Sequence, residues 1–81
     1  MFDTRSINQT PTWYRETYGM GVVYEFKSGS AISAGTSRYV VLTTLIPWSD
    51  ASGDDVIQVA LYGTTVKRRS GNTTTWGLGV N

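Results

Sequence analysis

The chain contains neither cysteine nor histidine. Without cysteine there is no disulfide framework. Without both residue types, the usual zinc sites and the Ser-His and Cys-His nucleophiles are excluded together. No catalytic, cofactor or metal-binding residue is assigned on this basis. Proline is scarce, at two residues, and charge is thin, at 16% of the chain against roughly 25% in ordinary soluble domains. Seven basic and six acidic residues leave a net charge of +1, without the one-sided basic excess that nucleic-acid binding requires. No run approaches the ~18 apolar residues of a helical membrane span, and no charged-then-apolar leader opens the sequence, so membrane insertion is not expected.

Threonine, serine, glycine and ten aromatic residues (three Trp, five Tyr, two Phe) take the place of charge. This is the composition of a thin β structure with uncharged polar faces. At 81 residues the chain makes one domain. A chain of that size buries only about 60% of the surface its unfolded form exposes. With disulfides and metal gone, a partner subunit is the remaining staple, although domains of this size also fold alone.

Residues 1–10 are polar and unpatterned and are expected to form an extended leading segment. Thr10-Pro11 is a helix start: a hydroxyl at the N-cap and proline at the first helical position. Trp13, Tyr14 and Tyr18 fall at helical spacing, and Gly19 stands where the helix should end. Residues 11–18 are therefore expected to form a short helix. Too short to be stable alone, it must dock its aromatics on something larger.

Residues 21–78 read as β structure. Val22, Tyr24 and Phe26 alternate with Val23, Glu25 and Lys27 in a first strand. Ser28–Thr36 is loop chemistry around Ile32. Arg38–Ile46 is rich in β-branched and aromatic residues and stops at Pro47. Ser49–Asp55 forms a turn, Val56–Tyr62 the next strand, and Thr64–Arg69 its hairpin partner. Thr73–Leu78 could add a last short strand carrying Trp76. The fold class is mainly β: one short N-terminal helix, then a small antiparallel sheet or sandwich of four to five strands in a single domain.

Few groups here could carry chemistry. A paired-carboxylate glycosidase is formally possible, but three of the six acidic residues crowd into the Ser49–Asp55 turn, where aspartate serves turn geometry. The oxygen ligands of Asp50–Asp55 lack EF-hand spacing, and a solvated turn is the simpler reading. Gly19-Met20-Gly21 lacks the third glycine of a dinucleotide loop, since Tyr24 stands there, and it reads as a helix C-cap and joint. In Lys67-Arg68-Arg69, strand geometry points Lys67 and Arg69 one way and Arg68 the other. The run is either a solvated edge strand or a site for phosphate or an acidic sugar.

Two groups of residues resemble a known family. The first is Asp3-Thr4-Arg5, Asn8, Pro11, Trp13-Tyr14, Tyr18 and Glu25-Phe26-Lys27. The second is Leu42, Thr44, Pro47-Trp48, Asp50, Ser52-Gly53 and Gln58, closing on Arg68-Arg69 and Trp76-Gly77. Their order and spacing resemble the C-terminal module of bacteriophage tail-fibre and tail-tip proteins, akin to the knob-like domains of pyocin fibres. Two departures stand out: Thr10 and Thr12 flank Pro11 where the pattern has a second proline, and the closing W-G-x-W reads Trp76-Gly77-Leu78-Gly79. Stacking that needs the second tryptophan is therefore not implied. Met1-Phe2 ahead of the motif fits either a piece of a longer fibre protein or a short separate one.

The resemblance implies a virion tail location, a homotrimer, other phage tail proteins as neighbours, and a bacterial surface glycan or protein as receptor. It implies no catalytic residue. Proximity along a hairpin nominates Tyr62, Arg68, Arg69 and Trp76 for receptor contact. The loops at Ser28–Ser37 and Ser49–Asp55 are the alternative receptor surface. Trp13, Tyr14, Tyr18 and Trp48 are expected in the core or a subunit interface. The rival functions are a trimerisation cap without receptor contact and, from another class, a small carbohydrate-active enzyme.

Overall fold

The computed structural model describes residues 1–77. The elements are β1 (Phe2–Asp3), α1 (Pro11–Tyr18), β2 (Gly21–Ser28), β3 (Tyr39–Ile46), β4 (Val56–Tyr62) and β5 (Thr65–Gly71). The strands form one five-stranded sheet in the order β1-β2-β3-β4-β5. The fold is mainly β with one short helix, as expected. The sheet, however, is mixed: β1 runs parallel to β2, and the other pairs are antiparallel.

Helix α1 begins and ends where local chemistry dictates. The Thr10 side chain accepts the Trp13 N–H at 3.1 Å, Pro11 occupies the first turn, and Gly19 closes the helix at φ 73° by donating to the Arg15 carbonyl. Tyr14 is buried. Its ring meets Trp13 at 5.0 Å, Tyr18 at 6.4 Å and Trp76 at 6.2 Å between centroids. With Val23, Ile46 and Val56, these aromatics form one apolar cluster. A second cluster gathers Ile32, Val40, Leu42 and Ala60 under the β2–β3 loop.

Polar side chains are buried on the same sheet face: Glu25, Lys27, Thr44 and Gln58. Glu25 and Lys27 are neighbours on that face of β2 and pair at 3.3 Å with essentially no exposure. Glu25 also accepts from Tyr14 Oη at 2.6 Å and from Thr4 Oγ1 at 2.7 Å. The Lys27 ammonium donates to the Thr4 carbonyl at 2.9 Å and to the Ile7 carbonyl. Burial holds the Lys27 ammonium below the ordinary lysine range, against the opposing pull of Glu25. Burial, reinforced by the bond to Glu25, pushes the Tyr14 phenol well above the ordinary tyrosine range.

The leading segment is therefore not merely extended. Its backbone pairs with β2, with Thr4 N–H donating to Phe26 at 3.2 Å and Ser28 N–H to Arg5 at 3.0 Å. A strand of two residues carries no periodicity, so only its partners reveal it. The final strand expected at Thr73–Leu78 is reduced to a single bridge between Gly71 and Trp76; Leu78 lies outside the described residues. The chain doubles back tightly at Gly71, where a Cβ would come within 2.4 Å of the Thr75 carbonyl oxygen and 2.9 Å of Pro11.

The other sheet face carries side chains in register across four strands. Val22, Leu45, Ile57 and Ser70 form one row; Tyr24, Thr43, Val59 and Arg68 the next; Phe26, Val41, Leu61 and Val66 a third. This face is largely apolar, and among the described residues little lies over it beyond the Arg5 guanidinium, 5.7 Å from the Phe26 ring centroid: Tyr24, Tyr39 and Val66 are 54%, 58% and 56% exposed.

Two expectations follow from the buried pair. Lys27→Met strands the Glu25 carboxylate and two carbonyls, and is expected to lower unfolding stability by about 3–5 kcal/mol in a denaturant titration; a loss under 1 kcal/mol would contradict the clamp. Because the folded-state pKa of Tyr14 is raised, its contribution is full below the unfolded value of about 10 and is lost as pH rises above it. The stability gap between the native chain and Tyr14→Phe should thus be constant up to about pH 10 and narrow beyond it. A gap that stays constant into stronger alkali would contradict the burial of the phenol.

Candidate ligand cleft

Strand β5 supplies one wall of a cleft of about 350 Å³, through Lys67, Arg68 and Arg69. The β2–β3 loop supplies the other, through Ile32, Ser33, Ala34 and Gly35, over a floor of Leu42, Gln58 and Ala60. Register fixes this arrangement: Lys67 stands beside Ala60 and Leu42, and Arg69 beside Gln58 and Thr44. The loop wall is held in an unusual backbone shape, with Ser33 at φ 58° and Gly35 at φ 78°. Gly35, at a φ that favours glycine, stands close to the Lys67 ammonium, about 4.0 Å from where its Cβ would lie.

Arg69 is half-buried and holds the cleft together. Nε donates to Gln58 Oε1 at 2.8 Å, one terminal nitrogen to the Ile32 carbonyl at 3.0 Å, and the other to Asn8 Oδ1 at 2.7 Å. Gln58 in turn donates to Thr44 Oγ1 at 3.0 Å. The guanidinium lies 4.5 Å from the centroid of the Trp76 ring, and Trp76 Nε1 donates to the Gln9 carbonyl at 2.8 Å. Burial lowers the Arg69 guanidinium to about 10. All its acceptors are neutral. Among the described residues, the ion pairs are Arg5–Asp3 and Lys27–Glu25, so no carboxylate balances Lys67, Arg68 or Arg69.

The four residues nominated for receptor contact do not form one patch. Arg68 is exposed on the bare face, opposite Val59. Arg69 and Trp76 are engaged internally, and Tyr62 packs beside the Ile32 cluster with the Arg38 guanidinium 5.5 Å from its ring centroid. Of the aromatics expected in the core or an interface, Tyr14 is buried, and Trp13 and Tyr18 are packed against the core. Trp48 is 48% exposed and lies over Gly53, where a Cβ would come within 2.4 Å of it.

Sequence reasoning missed Asn8 and Gln58 as partners of Arg69, Thr44 as the partner of Gln58, and Ile32 as the opposite wall. That Lys67 and Arg69 share one side of the strand is legible from alternation; which side is inward comes only from the structure. Among the described residues no carboxylate lines the cleft. Glu25 is occupied with Tyr14, Thr4 and Lys27, and Asp50 with Ser52. Among the described residues no cluster of three or more potential metal ligands occurs.

No family model, curated protein or solved structure matches this chain.

Arg69 and Arg68 should therefore behave differently. Arg69→Ala removes three charge-assisted hydrogen bonds and is expected to destabilise the fold by about 3 kcal/mol or more. Arg68→Ala should leave the Tm unchanged. Equal, small effects in thermal melts would contradict the structural role of Arg69.

Proposed function

We propose that this chain is a non-enzymatic structural module of a phage tail fibre or tail tip, located in the virion. In this reading it assembles as a homotrimer and contributes to attachment at the bacterial surface. The observation that carries the proposal is the bare sheet face. A sheet ordinarily buries its apolar face against a second layer. Here α1 and the loops cover one face, while Val22, Tyr24, Tyr39, Ile57, Leu61 and Val66 stand exposed on the other. Four strands of this length span on the order of 450 Å² of flat sheet, the size of an apolar patch that usually has a function.

Identical copies are the fitting occupant. Charge on the face is confined to its two edges: Arg68 on the β5 side, and on the β1 side Asp3 with Arg5, whose guanidinium lies 5.7 Å from the Phe26 ring centroid, so both would fall at the rim of a shared core. Closed symmetry among identical subunits is the usual way such a surface is covered. It would also supply the staple that a small chain without cysteine lacks. The order and spacing of the residues that resemble the phage module support the virion setting. Many of those residues serve internal bonds here: Thr4, Asn8, Tyr14, Glu25, Lys27, Thr44, Gln58 and Arg69.

Light scattering at micromolar concentration should give about three chain masses. Val41→Lys with Leu61→Lys places charge at the centre of the bare face, away from the buried networks. This double variant should run as a monomer with an unchanged far-ultraviolet circular dichroism spectrum. A native chain that stays monomeric across a wide concentration range would overturn the assembly.

A further inference from the structure

We propose that the cleft between β5 and the β2–β3 loop binds the carboxylate of an acidic sugar. The inference rests on the reading of the module as a binder of bacterial surfaces and names the ligand class. Three features converge. First, the volume of about 350 Å³ lies at the lower end of small-molecule sites, the range for one or two sugar rings rather than a larger ligand. Second, the charge is unbalanced. Arg69 has its donors met by neutral oxygens but no anion nearby, and Lys67 has neither a carboxylate nor a hydrogen-bond acceptor among the described residues. An entering carboxylate would accept directly from the Lys67 ammonium at the rim and draw further attraction from Arg69 without breaking its bonds. Third, the partly exposed Ala34 lines the cleft above the buried Leu42 and Ala60, an apolar contact that suits the C–H face of a pyranose and gives an inorganic anion nothing extra.

The roles divide accordingly. Lys67 is the contact residue. Arg69 is a positioning residue that ties the loop carbonyl of Ile32 to the sheet and so keeps the cleft open. The bare face takes no part, so assembly and ligand binding are separable properties.

The test is a titration of the isotope-labelled chain with glucuronic acid, glucose and inorganic phosphate, followed by amide chemical shifts. Glucuronate should give saturable shifts at Gly35, Ala60 and Lys67, weakening with added salt. Glucose, which lacks the carboxylate, should bind about tenfold or more weakly, the worth of one charge-assisted hydrogen bond. Lys67→Gln should lose the glucuronate response by a similar factor while the spectrum remains that of the folded chain, and Lys67→Arg should keep it. No shifts with glucuronate, equal affinity for glucose, or equal affinity for inorganic phosphate would each overturn the proposal. Solution mass recorded on the same samples separates it from the assembly: binding by a monomer removes the trimer and keeps the cleft, and a trimer without binding does the reverse.

Discussion

The buried pair of Glu25 and Lys27 is the constraint on which the rest of the molecule depends. A charge taken out of water is tolerated only when its partners are complete, and removing one partner costs more than the pair contributes. Here the partners come from three separate pieces of chain. Glu25 takes hydrogen bonds from the helix through Tyr14 and from the leading segment through Thr4, while Lys27 donates to the backbone of that same segment. The strand, the helix and the N-terminal residues are therefore fixed by one requirement, that neither charge be left alone. An eight-residue helix would not hold by itself.

Arg69 extends this logic across the sheet. It fastens Asn8 at the far side of the leading segment, the loop carbonyl of Ile32, and the Gln58–Thr44 pair on the central strands. Polar bonds thus seal one face of the sheet, and the apolar clusters fill the space between them. The other face is left with valine, leucine, isoleucine and tyrosine in register, and among the described residues no second layer covers them. A single layer sealed on one side and bare on the other is the feature from which we propose assembly with identical copies. The cleft lies on the sealed side of the sheet, away from the bare face.

Local chemistry was legible in the sequence. Thr10, Pro11 and Gly19 mark the helix because a cap hydroxyl, a first-turn proline and a closing glycine act within a few residues of their targets. Val56–Tyr62 was readable to the residue because alternation and a following Gly63 bound it. The facing of the strands was less accessible. In Val56–Tyr62 the more apolar side, Ile57, Val59 and Leu61, faces outward, while Gln58 is buried because Thr44 and Arg69 satisfy it. Hydrophobicity alone would choose the opposite side. For the same reason the polar segment 1–10 carried no sign that it closes the interior, and Arg69 gave no sign that it is a structural bolt rather than a free surface charge. The cleft was half visible: alternation pairs Lys67 with Arg69, but the wall at Ile32–Gly35 comes from a loop whose path depends on distant contacts.

Native-state amide hydrogen exchange at Thr4 and Ser28 tests the central claim most directly. Both amides donate across the junction between the leading segment and β2. If the buried pair unites these pieces, both should exchange only with the cooperative opening that releases Val23 and its neighbours in β2. A Thr4 amide that exchanges as fast as unstructured chain, while β2 remains protected, would contradict the account.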